Sequence, residues 1–460
     1  SVENIGNMGA SAGAETVRAS DVHWFGVADP RLMAFLKYYV LTAMLFAVYC
    51  AVYLFSYIYL ISPAYSYMGM KYRELPDRYW VVMFLLAFIS FSVVSKRFTR
   101  PSDYASWVIC MFVIVPGCFI PFFISKQDPF DVLPLPIALV LCFVVFELVR
   151  KHFPMPRVSD RWTMPGLQLI LPIGVTLLAI YTFYVNNFRF SISYDDVYTR
   201  RMMARETVVS GTLDSYLISW LSAVGIPISI ILATVKKNIL YFCVAMFAII
   251  SSFSLDGAKS DLFSPLVIIL VVTTFAAVRK HGLVAILIFL ILFVGFSIFE
   301  HLQWGTTFVS TVFVRREIVM PAQLTTYYWD YFSRNPFVYL GDSILRFIPD
   351  NNTIENVARL IGYKYFGHAD TNANVNIFGS GFAQFGYAGM LGASIAGGMI
   401  FSLLDRLGTH EKLIPACAIG VTIGVIYTNS AFLTTLLSNG VVLLLLILYV
   451  FPWKGQKSKF

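Results

Sequence analysis

Stretches of about twenty nearly uncharged, apolar residues recur along this chain, and each is long enough to cross a bilayer as a helix. In lipid the backbone has to satisfy its own hydrogen bonds, which leaves helices or a closed barrel. A barrel would show short alternating segments, whereas the runs here are continuous. Composition agrees: 58% of the 460 residues are hydrophobic and 13% charged, against about 25% charged in a soluble domain. The expected fold is all-α, a polytopic transmembrane helical bundle, and no nucleic-acid partner is expected despite the net charge of +8.

Apolar windows at 34–61, 79–95, 104–124, 133–149, 166–185, 216–235, 237–254, 262–278, 281–300, 381–403, 412–429 and 432–451 predict about twelve spans. Basic residues follow alternate spans: SKRFTR at 95–100, RKHFPMPRVSDR at 150–161, Lys236-Lys237, Arg279-Lys280, Arg406 with Lys412, and the tail KGQKSK. The positive-inside rule places all of these, and both termini, in the cytoplasm. A single span over 216–254 would be broken by Lys236 and Lys237 and would put Arg279 on the wrong side, so two are expected there.

The chain then divides into a cytoplasmic segment 1–33, nine spans over 34–300, a large outer loop 301–380, three spans over 381–451 and a basic tail 452–460. The polar, Gly/Ala-rich leader lacks the apolar stretch of a signal peptide, so no cleavage is expected and the segment is read as mobile up to Asp29-Pro30. Cys50, Cys110, Cys118, Cys142, Cys243 and Cys417 lie in apolar windows without metal-ligand or redox spacing. They read as small hydrophobes, with no disulfide expected.

The outer connections carry the candidate chemistry. The 186–215 loop holds Arg189, Arg200, Arg201 and Arg205, although outer loops are normally poor in basic residues. Arg201 and Arg205 are four apart and share a face in a helix. Arginine binds phosphate oxygens in bidentate fashion and stays charged when partly desolvated; ion pairing to Asp195, Asp196 and Glu206 is the plainer alternative. In SLDGAKSDLF, Gly257 permits a turn that would aim Lys259 inward beside Asp256, although solvated helix ends explain these charges equally well.

At about eighty residues, 301–380 is too long for a connector and should fold into something of its own. It carries Arg315 and Arg316, and from Ala322 the residues Leu324, Tyr327, Tyr328, Tyr331 and Phe332 recur at helical spacing. An amphipathic helix resting on the membrane or the bundle is expected, with Tyr327 and Tyr328 serving as a sugar platform or as interfacial anchors. A second helix is expected over 353–366, capped by Asn352 with Glu355 and ended by Gly367. Asn372, Asn374 and Asn376 offer amides to sugar hydroxyls or simply form turns. Gly379, Gly381, Gly386 and Gly389 allow close packing as the chain re-enters the bilayer. His301, His368, Glu206 and Asp256 are the candidate catalytic bases, each also readable as a hydrogen-bonded surface group. No metal site is expected; YDDVY at 194–198 is the nearest acidic pair, and its pairing with arginine is simpler.

FVRREIVMPAQLTTYYWDYFSRNP and FGHADTNANVNIFGSGFAQFGYAGM, with the basic loop before them, resemble the long periplasmic loop and return helix of the bacterial oligosaccharide repeat-unit polymerases, the O-antigen polymerase (Wzy) family. Some members carry an arginine followed after ten residues by glycine in two periplasmic loops. Arg200 and Gly211 fit that spacing, while Arg315 and Arg316 begin no such pair. The resemblance implies a GT-C-like membrane glycosyltransferase of the inner membrane, free of cofactor and metal. Its donor and acceptor would be oligosaccharides on undecaprenyl diphosphate, handled at the periplasmic face in contact with membrane lipids and a chain-length regulator protein. It implies that Arg200, Arg201, Arg205, Lys259, Arg315 and Arg316 hold the diphosphate. A ligase passing the glycan to lipid A core, and a flippase or exporter of the same lipid, are the alternatives.

Overall fold

The apolar windows fold as helices, and all regular structure among the described residues of this computed structural model is helical. The structure describes residues 30–156, 162–190, 200, 203–204, 207–208, 212–257, 259–343, 356–368 and 371–453. In chain order the first block is α1 (Leu36–Met68), α2 (Asp77–Val93), α3 (Pro101–Ile124), α4 (Pro129–His152), α5 (Leu167–Val185), α6 (Leu213–Lys236), α7 (Ile239–Asp256), α8 (Lys259–His281) and α9 (Leu283–Trp304). There follow α10 (Met320–Phe332), α11 (Val357–Phe366), α12 (Ile377–Leu407), α13 (Leu413–Asn429) and α14 (Phe432–Val450). Nine of these are long and apolar enough to cross a membrane, among the described residues; α2, α7, α8, α10 and α11 are the others. The chain is thus a multi-pass helical membrane protein.

Four helical stretches are wound in wide i→i+5 turns: Tyr57–Ile61, Cys110–Ile114, Leu221–Gly225 and Ser310–Val319. Each ends two residues before a proline, namely Pro63, Pro116, Pro227 and Pro321. Proline lacks an N–H, and its ring clashes with the carbonyl four residues earlier. Widening the preceding turn moves that carbonyl aside and keeps the helix going. Pro121, Pro172 and Pro265 sit within α-turns, so proline accompanies the wide turn without being sufficient for it. Three of the four stretches meet: Ser310–Val319 packs on both Tyr57–Ile61 and Cys110–Ile114.

The most extensive helix pairs are α4 with α12, α3 with α13, α1 with α9, and α5 with α7. Most buried apolar side chains belong to one core, while α5, α6 and α7 enclose a smaller one around Val175, Ala179, Leu221, Ile226, Val244, Ala248 and Ile249. Cys243 is exposed and the other five cysteines are buried; all six are free.

Contacts between connections sort the bundle into two ends. The Tyr38 hydroxyl bonds the carbonyls of Lys96 and His281, Arg100 reaches the Lys151 carbonyl, Arg406 that of Met155, Lys236 that of Pro452 and Lys412 that of Tyr449. Basic residues from five connections therefore gather at one end. Lys237 in left-handed conformation and the Asn238 cap make the turn between α6 and α7, as the lysine pair led one to expect.

Just inside that basic end lies a buried ionic cluster. Arg150 pairs with Asp103 at 2.9 Å and Glu147 at 2.7 Å, and all three are almost fully buried. Lys151 adds a 3.0 Å pair to Glu147, Ser106 donates to Glu147, and Asp405 accepts from the Ser102 amide at 2.8 Å and hydroxyl at 2.6 Å. Asp103 also accepts the amides of Thr99 and Arg100, capping α3. With its charges this fully hydrogen-bonded, the cluster clamps α3, α4 and α12 together.

At the opposite end α12 is broken. Phe385 and Gly386 leave helical conformation, Gly386 with φ +62°, a value that favours glycine. Across this bend Gly381 and Gly389 approach so closely that a Cβ on Gly381 would lie 2.5 Å from the Gly389 carbonyl oxygen. The glycines expected to allow close packing do so by backbone contact at this pair.

Candidate functional site

The site is built on the helix that follows α9. Glu300, buried at the end of α9, accepts from the Thr306 hydroxyl at 2.7 Å and from the amides of Phe308 and Val309 at 2.8 Å each. A carboxylate holding those amides both turns the chain and caps the new helix. The wide-turn stretch Ser310–Val319 then buries Ser310, Val314, Ile318 and Val319, a stripe at a spacing of four that suits its i→i+5 bonds. Phe313 wedges between Phe112 of α3 and Phe293 of α9, its ring centroid 5.8 Å and 4.4 Å from theirs.

This packing corrects the expectation for 322–332. Every residue from Pro321 to Trp329 is buried, so α10 is embedded among α3, α12 and the wide-turn stretches rather than resting on a surface. Tyr327 stacks on Tyr365 at 4.2 Å and receives a 2.9 Å hydrogen bond from Gln323. Tyr328 donates to the Ala373 carbonyl at 3.0 Å. Both serve the packing, and neither forms an open platform. Asp330 ends the helix in a junction, accepting from Gln127 at 2.7 Å, Arg334 at 2.8 Å and Tyr365 at 2.6 Å.

Arg315 and Arg316 lie where the wide-turn stretch meets the end of α1. The Arg315 guanidinium sits 4.4 Å from the Tyr65 ring centroid, with Nε donating to the Thr311 carbonyl at 3.3 Å and Nη1 3.5 Å from the Met68 sulfur. Tyr65 is fixed in turn by a 2.5 Å bond to the Thr311 hydroxyl. Burial holds the Arg315 pKa below its ordinary value, Tyr65 and Tyr67 oppose that shift, and Arg316 adds to it. Among the described residues no carboxylate lies within ion-pairing distance of Arg315. Arg316 is exposed, its Nε 3.9 Å from the Glu317 carboxylate. Glu317 is half-buried; burial raises its pKa, with Arg316 and the Asn429 side chain at the end of α13 acting against the rise.

The other sequence candidates fall elsewhere or outside the described residues. Arg200 donates to the Phe253 carbonyl of α7 at 3.0 Å and lies 5.3 Å from that ring's centroid. Arg201, Arg205, Glu206, Asp195 and Asp196 lie outside the described residues, and so do the side chains of Asp256 and Lys259. His301 is half-buried, with its Nδ1 buried and lacking a hydrogen-bond partner among the described residues. His368 is exposed in the turn after α11.

Asn372 and Asn374 are exposed, alternating with buried Ala373 and Val375. Asn376 is buried as the cap of α12, accepting from the amides of Phe378 and Gly379 and donating to Thr325 at 2.7 Å. The helix expected over 353–366 is α11, and its cap is Asn356, whose side chain accepts from the Arg359 amide at 3.0 Å. Asn352 and Glu355 lie outside the described residues. Among the described residues no group of three or more His, Cys, Asp or Glu side chains is placed to hold a metal ion.

Sequence reasoning did not single out Glu300, Glu317 or Tyr65. The Arg-Arg-Glu succession at 315–317 was a visible signal for Glu317; nothing in the order of residues ties Tyr65 to Arg315 across some 250 positions. No protein-family model, curated protein or solved structure matches the chain.

Proposed function

We propose that this chain is a membrane glycosyltransferase that polymerises lipid-linked oligosaccharide repeat units. It moves a growing glycan from undecaprenyl diphosphate to the non-reducing end of an incoming unit. The observation that carries this reading is Arg315, a half-buried guanidinium without a carboxylate partner among the described residues, beside the exposed Arg316. Withdrawing a cation from water is costly unless a counter-charge meets it, and a lipid diphosphate supplies one at this end of the bundle.

The topology that goes with this reading has twelve spans, the nine long helices together with α2, α7 and α8. The basic end faces the cytoplasm, and Arg315 faces the periplasm of the inner membrane. The acceptor hydroxyl oxygen forms a bond to the anomeric carbon as the bond from that carbon to the diphosphate oxygen breaks. The leaving diphosphate keeps the electron pair, and the two guanidinium groups stabilise the charge that develops on it.

The test uses the purified full chain in detergent, with single-repeat lipid diphosphates extracted from a strain deleted for its gene. Wild type should build multi-repeat products, and Arg315→Gln and Arg316→Gln should each lower the rate by about 100-fold, the typical effect of removing one charge-stabilising donor. Transfer only to added lipid A core would make the chain a ligase. Movement of the lipid across vesicle membranes without extension would make it a flippase.

A further inference from the structure

We infer that Glu317 is the base that takes the proton from the acceptor hydroxyl, an assignment that rests on the glycan-transfer reading. Residues two apart on a helix do not face each other. Arg315 is turned toward Tyr65 and Met68 of α1, Glu317 is turned toward Asn429 of α13, and the exposed Arg316 stands between them. The wide-turn stretch thus holds a phosphate-binding group on one flank and a carboxylate on the other. Displacement at an anomeric carbon needs that division, because the hydroxyl approaches from the face opposite the leaving diphosphate.

Three further features suit Glu317 to this task. Its only ion pair among the described residues is the 3.9 Å one to Arg316, and its contact with the Asn429 side chain can be met by one oxygen, which leaves the other to a substrate hydroxyl. Side-chain exposure of 31% leaves it reachable. A carboxylate made more basic than usual by burial accepts a hydroxyl proton more readily. The step balances: the hydroxyl proton goes to a Glu317 oxygen, the hydroxyl oxygen bonds to the anomeric carbon, and undecaprenyl diphosphate departs with the electrons of the broken bond. The proton then passes to water.

The experiment compares wild type, Glu317→Gln and Glu317→Asp in the extension assay with the same extracted lipid diphosphates. Binding of undecaprenyl diphosphate alone is measured on each protein. Glu317→Gln should lower kcat by about 10²- to 10⁴-fold, the usual contribution of a general base. It should also lose the acid limb of the pH–rate profile and bind undecaprenyl diphosphate as wild type does. Glu317→Asp should recover part of the rate and the acid limb. An unchanged kcat in Glu317→Gln, or a loss of diphosphate binding that matches the loss of transfer, overturns the assignment while leaving glycan transfer standing. Absence of extension by wild type overturns both.

Discussion

Among single residues, Arg315 and Lys96 show how burial turns an ordinary cation into a specialised one. Lys96 follows α2 at the basic end, its Nζ 3.6 Å from the Phe91 ring centroid and 5.6 Å from that of Trp107, and it donates to the Phe91 carbonyl. Burial pushes its pKa down to about 7; Lys151 adds to the drop, while Cys110 and Glu147 oppose it. The unfolded chain keeps a lysine pKa of about 10.4. Between the two values the unfolded state binds more protons than the folded one, so stability rises with pH across that window and the penalty is complete below about 7. Thermal unfolding of the detergent-solubilised protein should therefore give a higher Tm at about pH 9.5 than at about pH 7.5, and Lys96→Met should lose that part of the difference. A pH response identical in wild type and Lys96→Met would show that Lys96 is not the group responsible. Neither environment is legible in the residue order, because Tyr65 and Trp107 reach their cations only through the fold.

At the level of elements, the pairing of wide turns with prolines makes helix geometry a local property of the chain. Pro321 is the case with functional weight, because the turn it accompanies carries Arg315, Arg316 and Glu317. Replacing it by alanine removes the ring clash and restores an N–H, so the ten residues before it can relax to α-turns. Arg315 and Glu317 would then rotate off their present flanks. Pro321→Ala should keep its helical content and stay in the membrane, yet bind undecaprenyl diphosphate at least about tenfold more weakly, some 1.4 kcal/mol. Unaltered affinity would separate the wide turn from ligand binding. The apolar periodicity of α10 was legible in sequence, but its burial was not. A helix rich in tyrosine and threonine satisfies its polar groups internally, as Thr325 and Thr326 do by bonding the carbonyls of Pro321 and Ala322, and such bonds leave no mark on composition.

Taken whole, the molecule repeats in space what the charges outlined along the chain. Apolar length and the basic clusters were enough to place the helices and to bring five basic connections to one end, because both signals are local. What joins at the other end depends on side chains hundreds of residues apart, and of the three expected diphosphate-binding arginines in the loop 186–215 only Arg200 is among the described residues, where it bonds the Phe253 carbonyl of α7. In a background lacking the native cysteines, Lys126→Cys and Thr306→Cys should react with an impermeant maleimide added to spheroplasts. Arg97→Cys and Thr409→Cys should react only after the membrane is opened. All four positions are exposed, so reaction at both ends from one side would refute the proposed sidedness.

The burial of α10 also bears on how the protein is made. Nine helices precede it in the chain, so α1, α3 and α9 are all made before Ser310–Phe332, the segment that packs against each of them. Until that segment is made, Gly69 lacks the Tyr327 side chain that lies against it, and Phe112 and Phe293 lack the Phe313 ring between them. The surroundings of Arg315 and Glu317 therefore join the two ends of synthesis, with Tyr65 coming from the first helix and Asn429 from α13, which is made after α10.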